Sequence, residues 1–183
     1  MLMTACDKKH DEIVRLLLKK GVKAHSNTKQ NLEALIKCSF QGMTNASLQI
    51  IEHGVSCDFS KEMKTTPLMA AIEGDHFKLA EQLLEKGCPV DQKGRDDKKA
   101  LLIALRKGNV PLASKLIAAG AKLDSDIGQK AIASAILQNS TEMIGFLSSS
   151  GVSLDPNGQI AEGAILSAVR SNNIDAVRTL LDK

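Results

Sequence analysis

The sequence predicts an all-α protein, a solenoid of about twelve short helices with irregular turns or hairpins between its repeats. Two observations predict this fold. A unit of about 33 residues recurs six times along the 183-residue chain, and only 2% of the residues are aromatic, with no Trp and no Tyr. A core without large aromatic side chains must be built from aliphatic and small residues, which favours closely packed helices over a β-sandwich.

The repeats become visible when the chain is aligned on its clearest copy, which runs from Thr65 to Asp91. With Pro67 as the reference, the equivalent positions are Met1, Ala34, Ala100, Ala131 and Ala164. An aliphatic column then contains Leu2, Leu35, Leu68, Leu101, Ile132 and Ile165, and a small column contains Ala5, Cys38, Ala71, Ala104, Ala135 and Ala168. A glycine column contains Gly21, Gly54, Gly87, Gly120 and Gly151. A fixed period of this kind is typical of stacked repeats.

Each column has a physical reason. The aliphatic residue and the small residue three positions later share one face of a short first helix, and the small side chain lets a neighbouring helix approach. Thr66 and Pro67 provide a helix start, with Thr as the N-cap and Pro in the first turn. Leu83 and Leu84 belong to the buried stripe of a second helix, and Gly87 permits a left-handed cap at its end.

These motifs resemble those of the ankyrin repeat family, most closely in the third repeat. The family motif T-P-L-H-x-A corresponds to Thr66–Ala71, and L-L-x-x-G-A corresponds to Leu83–Cys88. The resemblance implies units of a β-turn and two antiparallel helices. The motif His is replaced in every repeat, by Met3, Ile36, Met69, Leu102, Ala133 and Leu166, and Thr-Pro occurs in one repeat only. We therefore do not expect regular hairpins.

The whole chain is expected to form one ankyrin-repeat domain, residues 1–183. The predicted repeats span about 1–26, 27–59, 60–92, 93–124, 125–156 and 157–183. Both ends of the series carry apolar second-helix residues where a polar capping repeat would be expected. We therefore interpret the chain as a fragment of a longer array or protein.

Composition and charge exclude several classes of function. A formal net charge of +3 is too small to indicate nucleic-acid binding, and the aromatic platforms on which bases stack are nearly absent. The longest apolar run, Ala100 to Leu105, is too short to cross a membrane. The N-terminus becomes charged within seven residues, unlike a signal peptide, so we expect a cytoplasmic protein.

The four cysteines, Cys6, Cys38, Cys57 and Cys88, contain no C-x-x-C pair. Four reduced thiols are the favoured interpretation, with a metal site or a disulfide framework as the alternative.

No motif indicates chemistry. The segment GRDDKK lacks the G-K-[ST] ending of a phosphate-binding loop. His10 and His76 occupy the same repeat column at the start of a second helix, which favours a structural role. No nucleophile lies beside a base in any recognisable pattern, so we expect no enzyme activity, no cofactor and no metal.

Function is therefore expected on a surface. In ankyrin-like proteins, partners commonly contact the turn tips and the outward side of the first helices. Carried over by column, this expectation selects Lys29, Gln30, Leu32, Phe40, Met63, Arg95, Lys98, Arg106, Lys107, Ile127 and Leu137. The apolar members either anchor a partner or are folded inward by irregular turns. The basic members of the fourth repeat, with Lys99 beside them, form either a solvated charged face or a site for an acidic segment.

The leading hypothesis is a monomeric scaffold that binds another protein on this face, and neither nucleic acid nor a membrane. One alternative is a regulatory domain that binds a small anionic ligand at the basic patch of the fourth repeat. Another is the ankyrin part of a larger enzyme or of a host-directed effector.

Overall fold

The structure, a computed structural model, describes residues 1–21, 28–58, 63, 65–93, 99–138, 140–152, 165–166, 168–170 and 172–181. The described elements are all helical, which confirms the predicted fold class. They are α1 (Leu2–Asp7), α2 (Asp11–Lys19), α3 (Lys29–Phe40), α4 (Thr44–Glu52), α5 (Pro67–Glu73), α6 (Phe77–Glu85), α7 (Ala100–Arg106), α8 (Val110–Ala118), α9 (Ser125–Leu137), α10 (Thr141–Ser149) and α11 (Ile174–Leu181). Residues 165–166 and 168–170 are also helical.

The chain divides into two compact units, unit 1 (Met1–Ala100) and unit 2 (Leu101–Lys183). In unit 1 the first helices form one layer, in which α3 packs against both α1 and α5. The second helices lie behind them, with α4 packed against α2 and α3. Leu35, Cys38 and Ile50 are fully buried between the layers, as the aliphatic and small columns predict.

Unit 2 is built in the same way. Helix α10 packs against α9, α8 and α11. The equivalent column residues Leu101, Ala104 and Leu116 have no exposed surface.

The helix boundaries follow local sequence signals. The Thr66 hydroxyl oxygen accepts a hydrogen bond from the Met69 N–H at 3.1 Å, and Pro67 occupies the first turn of α5. At the end of α6, Gly87 has φ +79°, and the Cys88 N–H donates to the Leu83 carbonyl at 3.0 Å. Both ends confirm the predicted caps, because the N-cap oxygen and the left-handed glycine satisfy backbone groups that a helix leaves unpaired.

Two first helices begin earlier than the repeat pattern predicts. Thr28 caps α3 through the Asn31 N–H at 3.4 Å, and Asp124 caps α9 through the Ile127 N–H at 2.9 Å. Helix α3 has 12 residues and α9 has 13, whereas α5, which begins where the repeat pattern predicts, has 7. Because Thr and Asp are strong N-cap residues, part of each expected turn is wound into the following helix.

Candidate functional site

A groove of about 540 Å³ runs across the first helices of unit 1. We call it the first-helix groove. It is lined by Met3 of α1, by Lys29, Glu33, Ile36, Lys37 and Phe40 of α3, by Met63 and Thr65 of the following connection, and by Ala70 and Glu73 of α5. Its volume lies within the range of roughly 300–1,000 Å³ that is typical of binding pockets.

The floor and walls of this groove are mainly apolar. Ala70 is almost completely buried and forms part of the floor, where its small side chain leaves space above the helix layer. Phe40 is 49% exposed at the C-terminal end of α3. Met3, Ile36 and Met63 are half-buried. Apolar surface of this kind is what the centre of a protein interface buries.

The charged side chains of the groove offset one another. Two lysines and two glutamates line it, so their formal charges cancel. The Lys37 Nζ atom lies 3.3 Å from the Asp7 Oδ1 atom, and the Lys29 Nζ atom lies 4.0 Å from the Glu33 Oε1 atom. The Lys37 pair joins α3 to the end of α1. Because these pairs are well exposed, each contributes at most about 1 kcal/mol to stability.

A second groove, of about 470 Å³, lies on the opposite helices of unit 1. We call it the second-helix groove. It is lined by Glu12, Arg15, Leu16, Lys19, Gln49, Glu52 and His53, which are mainly polar. An ion pair between Arg15 and Glu12, at 2.9 Å, occupies part of this surface. His53 is held by its own helix, because its Nδ1 atom is 2.8 Å from the Gln49 carbonyl oxygen.

Three of the predicted partner-binding residues, Lys29, Phe40 and Met63, meet in the first-helix groove. Gln30 is exposed in the first turn of α3, outside the groove lining. Leu32 packs partly against the core of unit 1. Because Thr28 already starts α3, Lys29, Gln30 and Leu32 lie in the first helix of their repeat and not at a turn tip.

Ile127 and Leu137, the two apolar residues of the fifth repeat that were predicted to be exposed, differ in their burial. The expected exposure of Ile127 is wrong, since the residue is only 3% exposed. It lies on α9, four residues before buried Ala131 and so on the same helix face. Leu137, at the end of α9, is 82% exposed, as predicted.

The basic residues of the fourth repeat are only partly described. Arg106 and Lys107 are exposed at the end of α7, and the Arg106 carbonyl accepts a hydrogen bond from the Gln138 side chain at 2.5 Å. Arg95 and Lys98 lie outside the described residues. The expectation that Lys99 extends the exposed patch is wrong, because Lys99 is buried and its Nζ atom lies 3.1 Å from Asp91.

Sequence reasoning missed Met3, Ile36 and Ala70 as groove residues. A signal was available for two of them. Met3 and Ile36 stand in the column where the family motif has His, and this column was interpreted only as a departure from the motif. An apolar replacement in neighbouring repeats places two aliphatic side chains side by side on the first helices.

The thiols differ from the favoured prediction. Cys57 and Cys88 form a disulfide, so the prediction of four reduced thiols is wrong at these two residues. Stacking brings the connections after α4 and α6 together although the cysteines are 31 residues apart in sequence. Cys6 and Cys38 are free and fully buried between α1 and α3. A hydrogen bond with Cys6, together with burial, raises the pKa of Cys38, so this thiol stays protonated and unreactive near neutral pH.

The described parts of the chain contain no group of three His, Cys, Asp or Glu side chains placed to share a metal ion. Among the described helices, none has both the length and the apolar character needed to cross a membrane.

Comparisons with known proteins agree with the geometry. The ankyrin-repeat model, in three copies, matches residues 2–94. The structure superposes on the crystal structure of the human ASB11 ankyrin repeat domain with a TM-score of 0.77, covering 99% of this chain and 82% of that one at 19% identity.

Two Caenorhabditis elegans proteins are similar in sequence. The transient receptor potential cation channel subfamily A member 1 homolog is 24% identical over 93% of this chain. The ankyrin repeat and KH domain-containing protein mask-1 is 33% identical over 61% of it. The matches span 14% and 4% of the lengths of these two relatives. With a family model covering more than half of the chain and stacked helix pairs in both units, the chain belongs to the ankyrin repeat family.

Proposed function

We propose that this chain is a protein-interaction module without chemistry of its own, and that the first-helix groove of unit 1 receives its partner. Ankyrin repeats are generally protein–protein interaction modules. The observation that carries the proposal is the lining of the groove, in which Met3, Ile36, Phe40 and Met63 present apolar surface between paired charges.

The character of the lining favours a partner segment with apolar side chains. Because the four charged groove residues cancel, the groove has little net charge with which to select an acidic or a basic partner. Phe40 is the best placed anchor, since it combines a large apolar surface with 49% exposure. Buried aromatic side chains at the centre of an interface commonly dominate its binding energy.

In unit 2, considered by itself, Arg106 and Lys107 could attract an acidic segment of a partner. Both are exposed on unit 2 and add positive charge at the end of α7. Exposed charges of this kind raise association rates and contribute little to the lifetime of a complex. Replacing both with Glu should slow association at low salt, and the effect should shrink at high salt.

The proposal is tested by selecting a displayed peptide library on the full chain and measuring the affinity of selected peptides for defined variants. Phe40→Ala should weaken binding by roughly tenfold or more, chiefly through faster dissociation. Ile36→Glu should abolish binding, because it places an unpaired charge at the apolar wall of the groove.

Two variants serve as controls. Leu137→Ala removes an exposed apolar side chain outside the groove, and Lys19→Glu changes the second-helix groove. Both should bind the selected peptides like the parent. Peptides whose affinity is unchanged by Phe40→Ala and lost with Lys19→Glu would assign binding to the second-helix groove and overturn the proposal.

The rival hypothesis, a small anionic ligand in the fourth repeat, has weaker support. Of the basic side chains assigned to that patch, Lys99 is buried against Asp91. A rise in melting temperature with inorganic phosphate or ATP, removed by the double Glu replacement of Arg106 and Lys107, would favour this rival.

A further inference from the structure

One wall of the first-helix groove is built from equivalent positions of neighbouring repeats. Met3 on α1 and Ile36 on α3 stand in the same repeat column, and both are half-buried. Their helices pack directly against each other, so this column brings the two side chains to the same part of the groove. Phe40 lies four residues after Ile36 and therefore on the same face of α3. The three side chains form a continuous apolar wall.

The space beside this wall lies over α5. The residue of α5 that is equivalent to Met3 and Ile36 is Met69, and it is only 2% exposed. The next residue, Ala70, lines the groove instead, with a side chain of a single methyl group. The wall is therefore followed by a depression, whose lining also includes Met63 from the connection before α5.

The charges of the lining disfavour a charged anchor in this depression. The Lys37 Nζ atom is already paired with Asp7 at 3.3 Å, and Lys29 lies 4.0 Å from Glu33. A carboxylate or an ammonium group that entered the apolar part would lose its hydration and would have to compete with these existing pairs. An uncharged anchor is therefore complementary in charge to the groove.

Among uncharged anchors, the lining favours an aromatic ring over an aliphatic side chain. Phe40 offers its own ring at 49% exposure, and two rings in contact are stabilised beyond the area they bury. Met3 and Met63 add thioether sulfurs, which make favourable contacts with aromatic rings. Their unbranched side chains can also adapt to the shape of a planar group. An aliphatic anchor would gain from the burial of its surface alone.

We infer that the partner segment is anchored in the first-helix groove by one aromatic side chain, of Trp, Tyr or Phe, placed against Phe40 between Met3 and Met63. The inference rests on the proposed function, because it names the anchor that the same groove takes. The groove lining extends along α3 from Lys29 to Phe40, a distance of about 16 Å at the helical rise per residue. This length exceeds that of one ring, so the occupant is a segment of another protein and not a free aromatic compound.

The composition of the chain allows a direct measurement. The chain has no Trp and no Tyr, so the emission of a Trp-containing peptide is recorded without a background from the protein. Peptides selected on the full chain count as groove-bound when Phe40→Ala weakens their binding. An alanine scan of each such peptide should find one Trp, Tyr or Phe whose replacement weakens binding by roughly tenfold or more. With Trp at that position, the emission should shift to shorter wavelength on binding.

A saturated analogue separates aromaticity from size. Cyclohexylalanine at the anchor position keeps the shape of Phe and is more apolar, yet it should bind the parent about 3- to 10-fold more weakly than Phe. Phe40→Leu retains an apolar side chain and removes the ring, so it should reduce this difference between the two peptides. Leu137→Ala is the matched control, because it truncates an exposed apolar side chain outside the groove and should leave the difference unchanged. Circular dichroism melting checks that each variant is folded.

Groove-bound peptides that carry an aliphatic or a charged anchor would overturn the inference, as would a cyclohexylalanine analogue that binds as tightly as the Phe peptide. Either result would leave the proposed function standing, because binding would still depend on Phe40. Selected peptides that bind the Phe40→Ala variant like the parent would instead overturn the proposed function, and this inference with it.

Discussion

Cys57 and Cys88, which follow α4 and α6, are joined by a disulfide across a Cα–Cα distance of 5.1 Å. The bond connects the ends of two consecutive repeats in unit 1. It also holds one end of the connection that carries Met63 into the first-helix groove. A disulfide stabilises a fold mainly by restricting the unfolded chain, and the restriction grows with the length of the closed loop.

Reduction of the disulfide should therefore destabilise unit 1. For cysteines 31 residues apart, loop closure corresponds to roughly 3–4 kcal/mol in the free energy of unfolding. Thermal melts with and without dithiothreitol measure the difference, and a Cys57→Ser, Cys88→Ser double variant should melt like the reduced parent. A parent whose melting is unaffected by reductant would contradict this role of the disulfide.

The disulfide also bears on the cell compartment in which the protein resides. Disulfides are rare in the cytoplasm and common in oxidising compartments. A cytoplasmic protein is therefore expected to hold Cys57 and Cys88 as reduced thiols, whereas the disulfide is expected in an oxidising compartment. Acid quenching of cells, followed by alkylation under denaturing conditions without reductant and by mass spectrometry, distinguishes them. Unmodified Cys57 and Cys88 would indicate an oxidising compartment, and alkylation of both would support the cytoplasm.

Two glycines should respond to Ala in opposite directions. A Cβ atom at Gly74, after α5, would overlap the main-chain carbonyl of Phe40, whereas nothing lies within 4 Å of a Cβ atom at Gly145 in α10. Gly74→Ala should lower stability by roughly 1–3 kcal/mol, because backbone atoms cannot move aside cheaply. Gly145→Ala should raise it by about 0.5–1 kcal/mol through helix propensity. Urea unfolding measures both, and an equal effect of the two substitutions would argue against the packing of α5 on α3.

The burial of Ile127 gives a direct test of the corrected assignment. Ile127→Ala should destabilise the protein by roughly 2–5 kcal/mol, because it opens a cavity beneath α9. Leu137→Ala, on the same helix but 82% exposed, should change stability by less than about 0.5 kcal/mol. If Ile127→Ala melts like Leu137→Ala, the residue faces solvent after all.

The repeat columns predicted the helices well because their signals are local or periodic. Thr66, Pro67 and Gly87 act within one turn of chain, and Leu35 or Ala104 is buried by a helical period that the sequence displays. The burial of Ile127 was harder to predict, because it depends on Asp124, which starts a helix where a turn was expected. The pairing of Cys57 with Cys88 could not be predicted from the sequence, because only the stacking of the repeats brings these two residues together.

The groove was predicted only in part for a similar reason. The repeat columns selected Phe40 and Met63 as candidate site residues, and both line the groove. The space between these two residues exists because Ala70, which lies on α5, has a small side chain. Such a cavity depends on side-chain volumes from three repeats together. A column considered by itself shows which residues point outward and does not show where a depression forms.

The central claim is that the first-helix groove binds the partner, and hydrogen–deuterium exchange of the full chain with and without a selected peptide tests it most directly. Binding should slow exchange in α1, in α3 and across residues 63–73, because these segments form the groove, and should leave α2 and α4 unchanged. Slower exchange confined to α2 and α4 would place the partner on the second-helix groove and contradict the claim.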